Sequence, residues 1–291
     1  MLNLHAVNAF VAVLETGSFN RAADRLGMSQ PTVSQQIRKL EDKLGAVLVQ
    51  RGHKACRPTR AGETFLPHAR ALLRSAQRAT DVVREHPVRI GASGNIGTYL
   101  LPERIRAFSE QLSDPGLVDL VLGPNPETAL RLENGEVDVA LMEWWDGRPG
   151  FDAALWRREP MRVIVSVDHS WAAADAIPKE WLLDEPMIGG EPGTGTGRLL
   201  AGVLGDEVRR LNVRFRLEGT EAVKMAVRHG LGVSLVLSSA VASEVTAGHL
   251  VARPLAEADV AKEIYCITPE DLPSTSSARR FRDHLLTDVR A

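Results

Sequence analysis

Along the first sixty residues the apolar positions recur at helical spacing in three short bursts. Val7, Phe10, Val11 and Leu14 form the first, closed by Gly17. Phe19, Ala22, Ala23 and Leu26 form the second, with Ser18 as its N-cap and Gly27 as its stop. Val33, Ile37, Leu40 and Leu44 form the third, opened by Ser29 and closed by Gly45. Pro31 sits in its first turn, where a missing amide proton costs nothing. Three short helices with a tight turn between the second and third predict a helix-turn-helix over about residues 18–38. After Gly45, AVLVQRGHKACRPTRAG offers two short β-like pieces around a basic tip, the pattern of a wing.

The period then lengthens. From an N-cap at Thr59, the residues Phe65, Leu66, Ala69, Leu72, Leu73, Ala76, Ala79, Val82 and Val83 make one stripe on a mostly polar helix reaching to about Glu85. Pro67 lies inside it, which predicts a kink near the first turns. A helix this long and lightly covered needs a partner, and a second copy is the expected one, since DNA-reading helices work in symmetric pairs. His86-Pro87 ends it.

Beyond lies a different alternation. VRIGAS, VDLVLG and VDVALME are strand-like and separated by helical stretches, predicting a parallel sheet. RVIVSV, PMIGGE, VRFRLEG and VSLVLS begin a second such set near Met161. Two α/β lobes imply a cleft between them, and such clefts take small molecules.

Composition changes this picture little. The chain has 291 residues, 44% hydrophobic and 25% charged, enough for more than one packed core. No run of about 18 apolar residues suggests a membrane span, and no secretory leader pattern opens the chain. With only Cys56 and Cys266, a disulfide framework is not expected and a cytoplasmic location is. Cys56, in the wing, is read first as an idle thiol, with an oxidant sensor as the alternative.

Charge is more informative. Residues 1–60 hold nine Lys/Arg against four Asp/Glu, so a +5 head sits on a body of −7 in a chain of net −2. On a wheel, Pro31, Gln35, Arg38 and Lys39 lie opposite the apolar stripe of the third helix, with Ser34 on the flank and no acid before Glu41 and Asp42. Gln and Ser can hydrogen-bond base edges, Arg can fork onto guanine and Pro can touch a thymine methyl. A plain three-helix core with a polar outer face would explain the helices but not this choice of residues. In the wing, Arg51, His53 and Lys54 can reach phosphate or the minor groove.

These segments, AFVAVLETGSFNRAADRLGMSQPTVSQQIRKLEDKLGAVLVQR and TRAGETFLPHAR, resemble the LysR-type transcriptional regulators across the whole N-terminal region. They depart from the usual pattern at Val49 and Pro58. The resemblance implies that Gln30, Pro31, Ser34, Gln35 and Arg38 face bases, that Arg51 lies in the wing, and that the long helix is a dimerisation linker. The full expected DNA-facing set is Ser18, Gln30, Pro31, Thr32, Ser34, Gln35, Arg38, Lys39, Arg51, His53 and Lys54.

In open parallel sheets ligands sit beyond the carboxyl ends of strands, here the turns 92–98, 123–126, 190–197 and 218–220. Each leads into a helix and offers amides and small polar side chains with few carboxylates, which suits a small anion. Any one of these turns could be a plain cap. The glycine-rich GEPGTGTG lacks both the P-loop ending and the dinucleotide spacing. VRIGAS, LENGEVDVALME, EPGTGTGRLL and GTEAVKMAVRHGLGVSLV resemble the effector domain of the same family, which shares the fold of periplasmic solute-binding proteins. Carried over residue by residue, the resemblance implies effector contacts from Ser93, Asn95, Thr98, Asn125, Thr194, Gly195, Thr196 and Thr220. EPGTGT is similar to a subset of the family, some of whose members sense small sulfur oxyanions. Glu143 stands near the cleft and would oppose an anion.

The expectation is therefore a winged helix-turn-helix (1–58), a linker helix (59–86) and a two-lobed α/β effector domain of periplasmic-binding-protein type (87–291). Lobe I would hold 87–161 and 267–291, and lobe II 162–266. The chain would be a sequence-specific transcriptional regulator controlled by a small anionic effector, a sulfur oxyanion or carboxylate. No catalytic residue, metal site or cofactor is expected. The expected partners are double-stranded promoter DNA, a second copy through the linker leading to a homotetramer, and RNA polymerase, with no membrane. The competing classes are a small-molecule-binding α/β protein and an enzyme whose head has another role. Neither a Gly-x-Ser-x-Gly elbow nor metal-like His spacing supports the enzyme.

Overall fold

A computed structural model of the chain describes residues 1–51, 55–84, 87–111, 118–192, 194–256 and 258–287. The expected wing-tip contacts His53 and Lys54 lie outside the described residues, as do the side chains of Arg51, Val82 and Val83.

The head begins with α1 (Leu4–Thr16), α2 (Phe19–Leu26) and α3 (Gln30–Leu44). Each ends at a glycine in the left-handed region, Gly17, Gly27 and Gly45, where a Cβ would be strained. Val7, Phe10, Ala22, Val33, Ile37 and Leu40 close one core with Leu48. Leu44 departs from expectation. It stays 38% exposed, because its axial position at the last residue of α3 carries it past that core although its angle is right.

Strands β1 (Val49–Arg51) and β2 (Cys56–Pro58) pair antiparallel as the expected hairpin. Glu41, the first acid on α3, anchors it: its Oε1 accepts from the amides of Leu48 at 2.7 Å and Val49 at 3.2 Å. Thr59 Oγ1 accepts from Gly62 N at 3.0 Å, opening α4 (Arg60–Arg84). This 25-residue helix, about 37 Å long, continues through Pro67. It packs on α1 through Phe65 and Phe10, whose ring centroids are 5.5 Å apart. No described helix is long and apolar enough to cross a membrane.

In the body, β3 (Val88–Ala92), β4 (Val118–Leu122) and β5 (Val139–Met142) form the expected parallel set, with β3 central. A π-helical turn (Ile96–Leu100) leads into α5 (Leu101–Ser109), and α6 (Asn125–Asn134) follows β4. Then β6 (Phe151–Ser166) runs for 16 residues through both lobes. The second lobe adds β7 (Pro186–Ile188), α7 (Gly195–Leu204), β8 (Asn212–Phe215), α8 (Thr220–Arg228), β9 (Ser234–Leu237), α9 (Ala242–Thr246) and β10 (Leu250–Arg253). Strand β11 (Ala261–Pro269) and α10 (Ser277–Thr287) return to the first lobe.

The second set is not a simple repeat of the first. β7 and β8 are parallel, but β9 and β10 run antiparallel to β6, which enters this lobe as a crossover strand. Strand β11 leaves the second lobe beside β6, with Ala261 opposite Pro160, and joins the first-lobe sheet where Tyr265 to Ile267 pair with β5.

Candidate functional site

On α3 the wheel translates directly into exposure. Val33, Ile37 and Leu40 are buried, while Pro31, Thr32, Gln35, Arg38 and Lys39 are exposed and Gln30 and Ser34 are half-buried. Two expected contacts have local work as well. Ser18 caps α2, accepting from Arg21 N, and Thr32 Oγ1 lies 2.8 Å from the Ser29 hydroxyl that caps α3. Arg51 ends β1. The Glu41 carboxylate is engaged by the wing amides.

Between the lobes the cleft is divided into two chambers. The smaller, of 300 Å³, is bordered by Ser93, Asn95, Thr194, Thr196 and Thr220, together with Glu143, Glu191 and Lys262. The larger, of 880 Å³, is bordered by Asn125, Trp144, Arg158, Gly195, Arg198 and Lys262. Thus the structure brings five of the eight expected effector residues to one chamber and puts Asn125 and Gly195 on the other. Thr98 borders neither; it is exposed on the π-helical turn.

The polar groups of the smaller chamber are positioned by helix starts. Thr194 caps α7, accepting from Gly197 N at 2.9 Å and donating to Glu191 O at 2.8 Å. Gly197 must be glycine, since a Cβ there would lie 2.1 Å from Glu191 O. Gly219, at φ 84°, leads into α8 without a side-chain cap, and the Thr220 hydroxyl instead donates across the cleft to Asn95 Oδ1 at 2.6 Å. Ser93 Oγ is buried and has no hydrogen-bond partner among the described residues. An unpaired buried hydroxyl costs free energy, so one facing a polar cavity asks for a ligand or water.

A second tie closes the lobes beside the chamber. Tyr99, on the first-lobe π-helical turn, donates to Glu221 Oε1 on α8 at 2.6 Å. Lys224 Nζ lies 2.6 Å from the same oxygen, 2.7 Å from Glu244 and 5.0 Å from the Tyr99 ring centroid. Burial and the bond to Glu221 push the Tyr99 hydroxyl up to about 12, so it stays a donor. Hydrogen bonds from Lys224 and Tyr99 outweigh burial and hold Glu221 below the usual carboxylate range. For Lys224 burial works against the charge, but bonds to Glu221 and Glu244 win and raise it.

At the partition, Lys262 Nζ and Glu143 Oε1 are 3.6 Å apart and both side chains are largely buried. Sequence reasoning singled out Glu143 but missed Lys262, as it missed Tyr99, Glu221 and Lys224. A lone lysine in a strand looks like any solvated position until the crossover of β11 is known. Trp145 packs on Phe151, ring centroids 5.7 Å apart, while Trp144 borders the larger chamber.

Residues 4–63 match the family described as bacterial regulatory helix-turn-helix proteins, lysR family, and residues 83–290 match the LysR substrate binding domain. A Stutzerimonas stutzeri protein carrying the name putative HTH-type transcriptional regulator protein PtxE is 47% identical over 196 residues, which cover 67% of this chain and 100% of that one. The RuBisCO operon transcriptional regulator of Allochromatium vinosum is 28% identical over 99% of this chain and 97% of its own. Among solved structures, a full-length OxyR variant from Pseudomonas aeruginosa superposes with a TM-score of 0.70 at 24% identity, covering 100% of this chain and 95% of that one. Full-length CbnR complexed with its target DNA superposes at 0.56 and 24% identity, covering 97% and 98%. Both likenesses concern the fold.

Proposed function

We propose, given that the chain belongs to the LysR family of bacterial helix-turn-helix transcriptional regulators with an effector-binding domain, that it reads promoter DNA through α3 and the wing and is controlled by a small anion held between the lobes. Residues 1–58 would be the DNA-binding unit, 59–86 the linker, and 87–291 the effector domain.

The observation that carries the effector half is the buried Ser93 hydroxyl at the smaller chamber, which has no hydrogen-bond partner among the described residues, with Asn95, Thr196, Thr220 and the start of α7 around it. Its supply of donors suits a sulfur oxyanion or carboxylate. On the head, the acid-free exposed face of Pro31, Gln35, Arg38 and Lys39 supports base reading, with Gln30 and Ser34 at its edge.

Two copies would join along α4. Its outer face leaves Leu72 exposed and carries an open groove lined by Arg60, Ala61, Thr64, Phe65 and His68. Pairs of such dimers would make the homotetramer, and RNA polymerase would be met at the promoter. Anion binding shifts the relative angle of the lobes, and this changes how paired bodies pack and how far apart the recognition helices stand.

Fluorescence anisotropy with the chain's own upstream DNA tests the reading. Selective, salt-sensitive binding that shifts with a small anion is expected. Equal affinity for unrelated DNA would remove the DNA half, and a flat response to sulfate, sulfite, thiosulfate, phosphate and acetate would remove the anion half.

A further inference from the structure

We infer that Lys262 is the charge that recognises the anion in the cleft, and that Glu143 is its resident partner, displaced when the anion enters. This rests on the anionic-effector reading above and names the residues that would select the ligand.

Lys262 is placed by the crossover of β11, just after the strand's first pairing at Ala261–Pro160. It borders both chambers. A Cβ built on Gly195 would sit 3.3 Å from Lys262 Nζ, so the ammonium lies against the first residue of α7. The start of a helix carries partial positive charge. An ammonium there is repelled unless a negative group lies between or beside the two. In the present structure Glu143 supplies that group, but loosely. Their 3.6 Å separation is beyond hydrogen-bond length, whereas Lys224 meets Glu221 at 2.6 Å. Arg158, also at the larger chamber, is taken up by Asp259 at 2.5 Å.

The surroundings point to a ligand independently of charge. Ser93 is 7% exposed and its hydroxyl has no hydrogen-bond partner among the described residues. Thr196 and the Asn95–Thr220 pair complete a polar wall around 300 Å³, near the lower end of small-molecule sites, about 300–1,000 Å³. An anion there meets two carboxylates, Glu143 and Glu191, and one ammonium. It must compete with Glu143 for Lys262, so compact oxyanions of concentrated charge are favoured over larger, diffuse ones. Glu143 thereby sets a threshold as well as holding the lysine in place.

Isothermal titration of the full chain with sulfate, thiosulfate, phosphate and acetate at fixed ionic strength tests this, using Lys262→Met and Glu143→Gln. Lys262→Met should weaken the best-bound anion on the order of tenfold or more, by loss of a charge-assisted contact. Glu143→Gln should strengthen it several-fold. Opposite signs from two substitutions at one contact are what a merely structural pair would not give. Should Lys262→Met fail to fold, as judged by its ligand-free melting temperature, the sign of the Glu143→Gln effect decides. If the wild type binds and Lys262→Met binds equally well, or Glu143→Gln binds more weakly, Lys262 is not the selector and the anion reading stands alone. If none of the three proteins responds to any of these anions, the anion reading and this inference fall together.

Discussion

Arg70 and Glu133 lock the linker helix to the first lobe: Arg70 Nη1 donates to Glu133 Oε2 at 3.0 Å while its Nη2 reaches Glu15 on α1 at 3.3 Å. Glu133 is held from its other side by Arg148 at 2.8 Å, and its backbone carbonyl accepts from Arg74 at 2.6 Å. Arg74 in turn stacks over Phe151, 4.8 Å from the ring centroid, at the start of β6. The Glu133 carboxylate therefore joins the body to the linker, and Arg70 carries that link on to the head.

Replacing it with Glu133→Ala should destabilise the full chain by about 1–3 kcal/mol, since both Arg70 and Arg148 lose a charged acceptor in a partly buried place. Urea unfolding followed by two probes checks this. The wild type should show nearer coincidence between head and body signals than the variant, and identical curves for both proteins would contradict the assignment.

The exposed α3 face makes a different prediction. Arg38→Ala should cost about 1–3 kcal/mol on the preferred DNA and relax its sequence choice, while Lys39→Ala should weaken all sequences alike and lower the salt slope by about 1. Anisotropy titrations at several salt concentrations separate the two. Equal, sequence-independent losses would mean that Arg38 only touches phosphate.

The reach of sequence reasoning followed the range of the interactions. Ser18, Ser29 and Thr59 could be picked out because a cap bonds within three residues of itself. Val33, Ile37 and Leu40 could be picked out because burial on a helix follows its period. Tyr99 and Glu221 stand 122 positions apart, and nothing local marks either one. Glu41 looked like the first ordinary acid of a solvated helix, and its use appears only when the wing amides fold back onto it. Thr98 stands exposed on the π-helical turn and borders neither chamber, and nothing local in the sequence marks that turn as π-helical. The antiparallel pairing of β6 with β9 and β10 was hidden because apolar runs read alike in either direction.

Tyr99 and Glu221 tie the lobes, and the tie depends on pH. Glu221 is held below its ordinary value of 4.5, so its contribution is present above that value and is lost as pH falls through the lowered one. Glu221→Gln should thus melt earlier than the wild type near neutral pH, with the gap closing in acid. A gap that stays constant down to about pH 3, below the ordinary carboxylate value, would show that the carboxylate charge is not what holds the lobes.

Cysteine reactivity should be one-sided. Burial pushes the Cys266 thiol up to about 12, while Cys56 is half-buried at the base of the wing. A thiol reagent at mildly alkaline pH should modify Cys56 in the native chain and both cysteines after unfolding. Native labelling of Cys266→Ser at the wild-type stoichiometry is the expected control, and a fall to zero would reverse the assignment.

Gly197 offers a steric test of the chamber. Because an added Cβ would collide with the Glu191 carbonyl, Gly197→Ala should displace the start of α7 and lower the melting temperature. Gly202→Ala, on the same helix with open space at its Cβ, should be neutral or slightly stabilising. Equal melting temperatures for the two variants would remove the packing argument.

Strands β6 and β11 cross between the lobes side by side, paired from Phe151–Pro269 to Pro160–Ala261. Sliding one lobe along the other would break that ladder rung by rung, and pulling them apart would stretch covalent backbone. Bending the ribbon costs far less. The pair therefore behaves as a leaf spring, stiff along its length and compliant across it. A change in the angle between the lobes thus strains this pair less than a change in their distance.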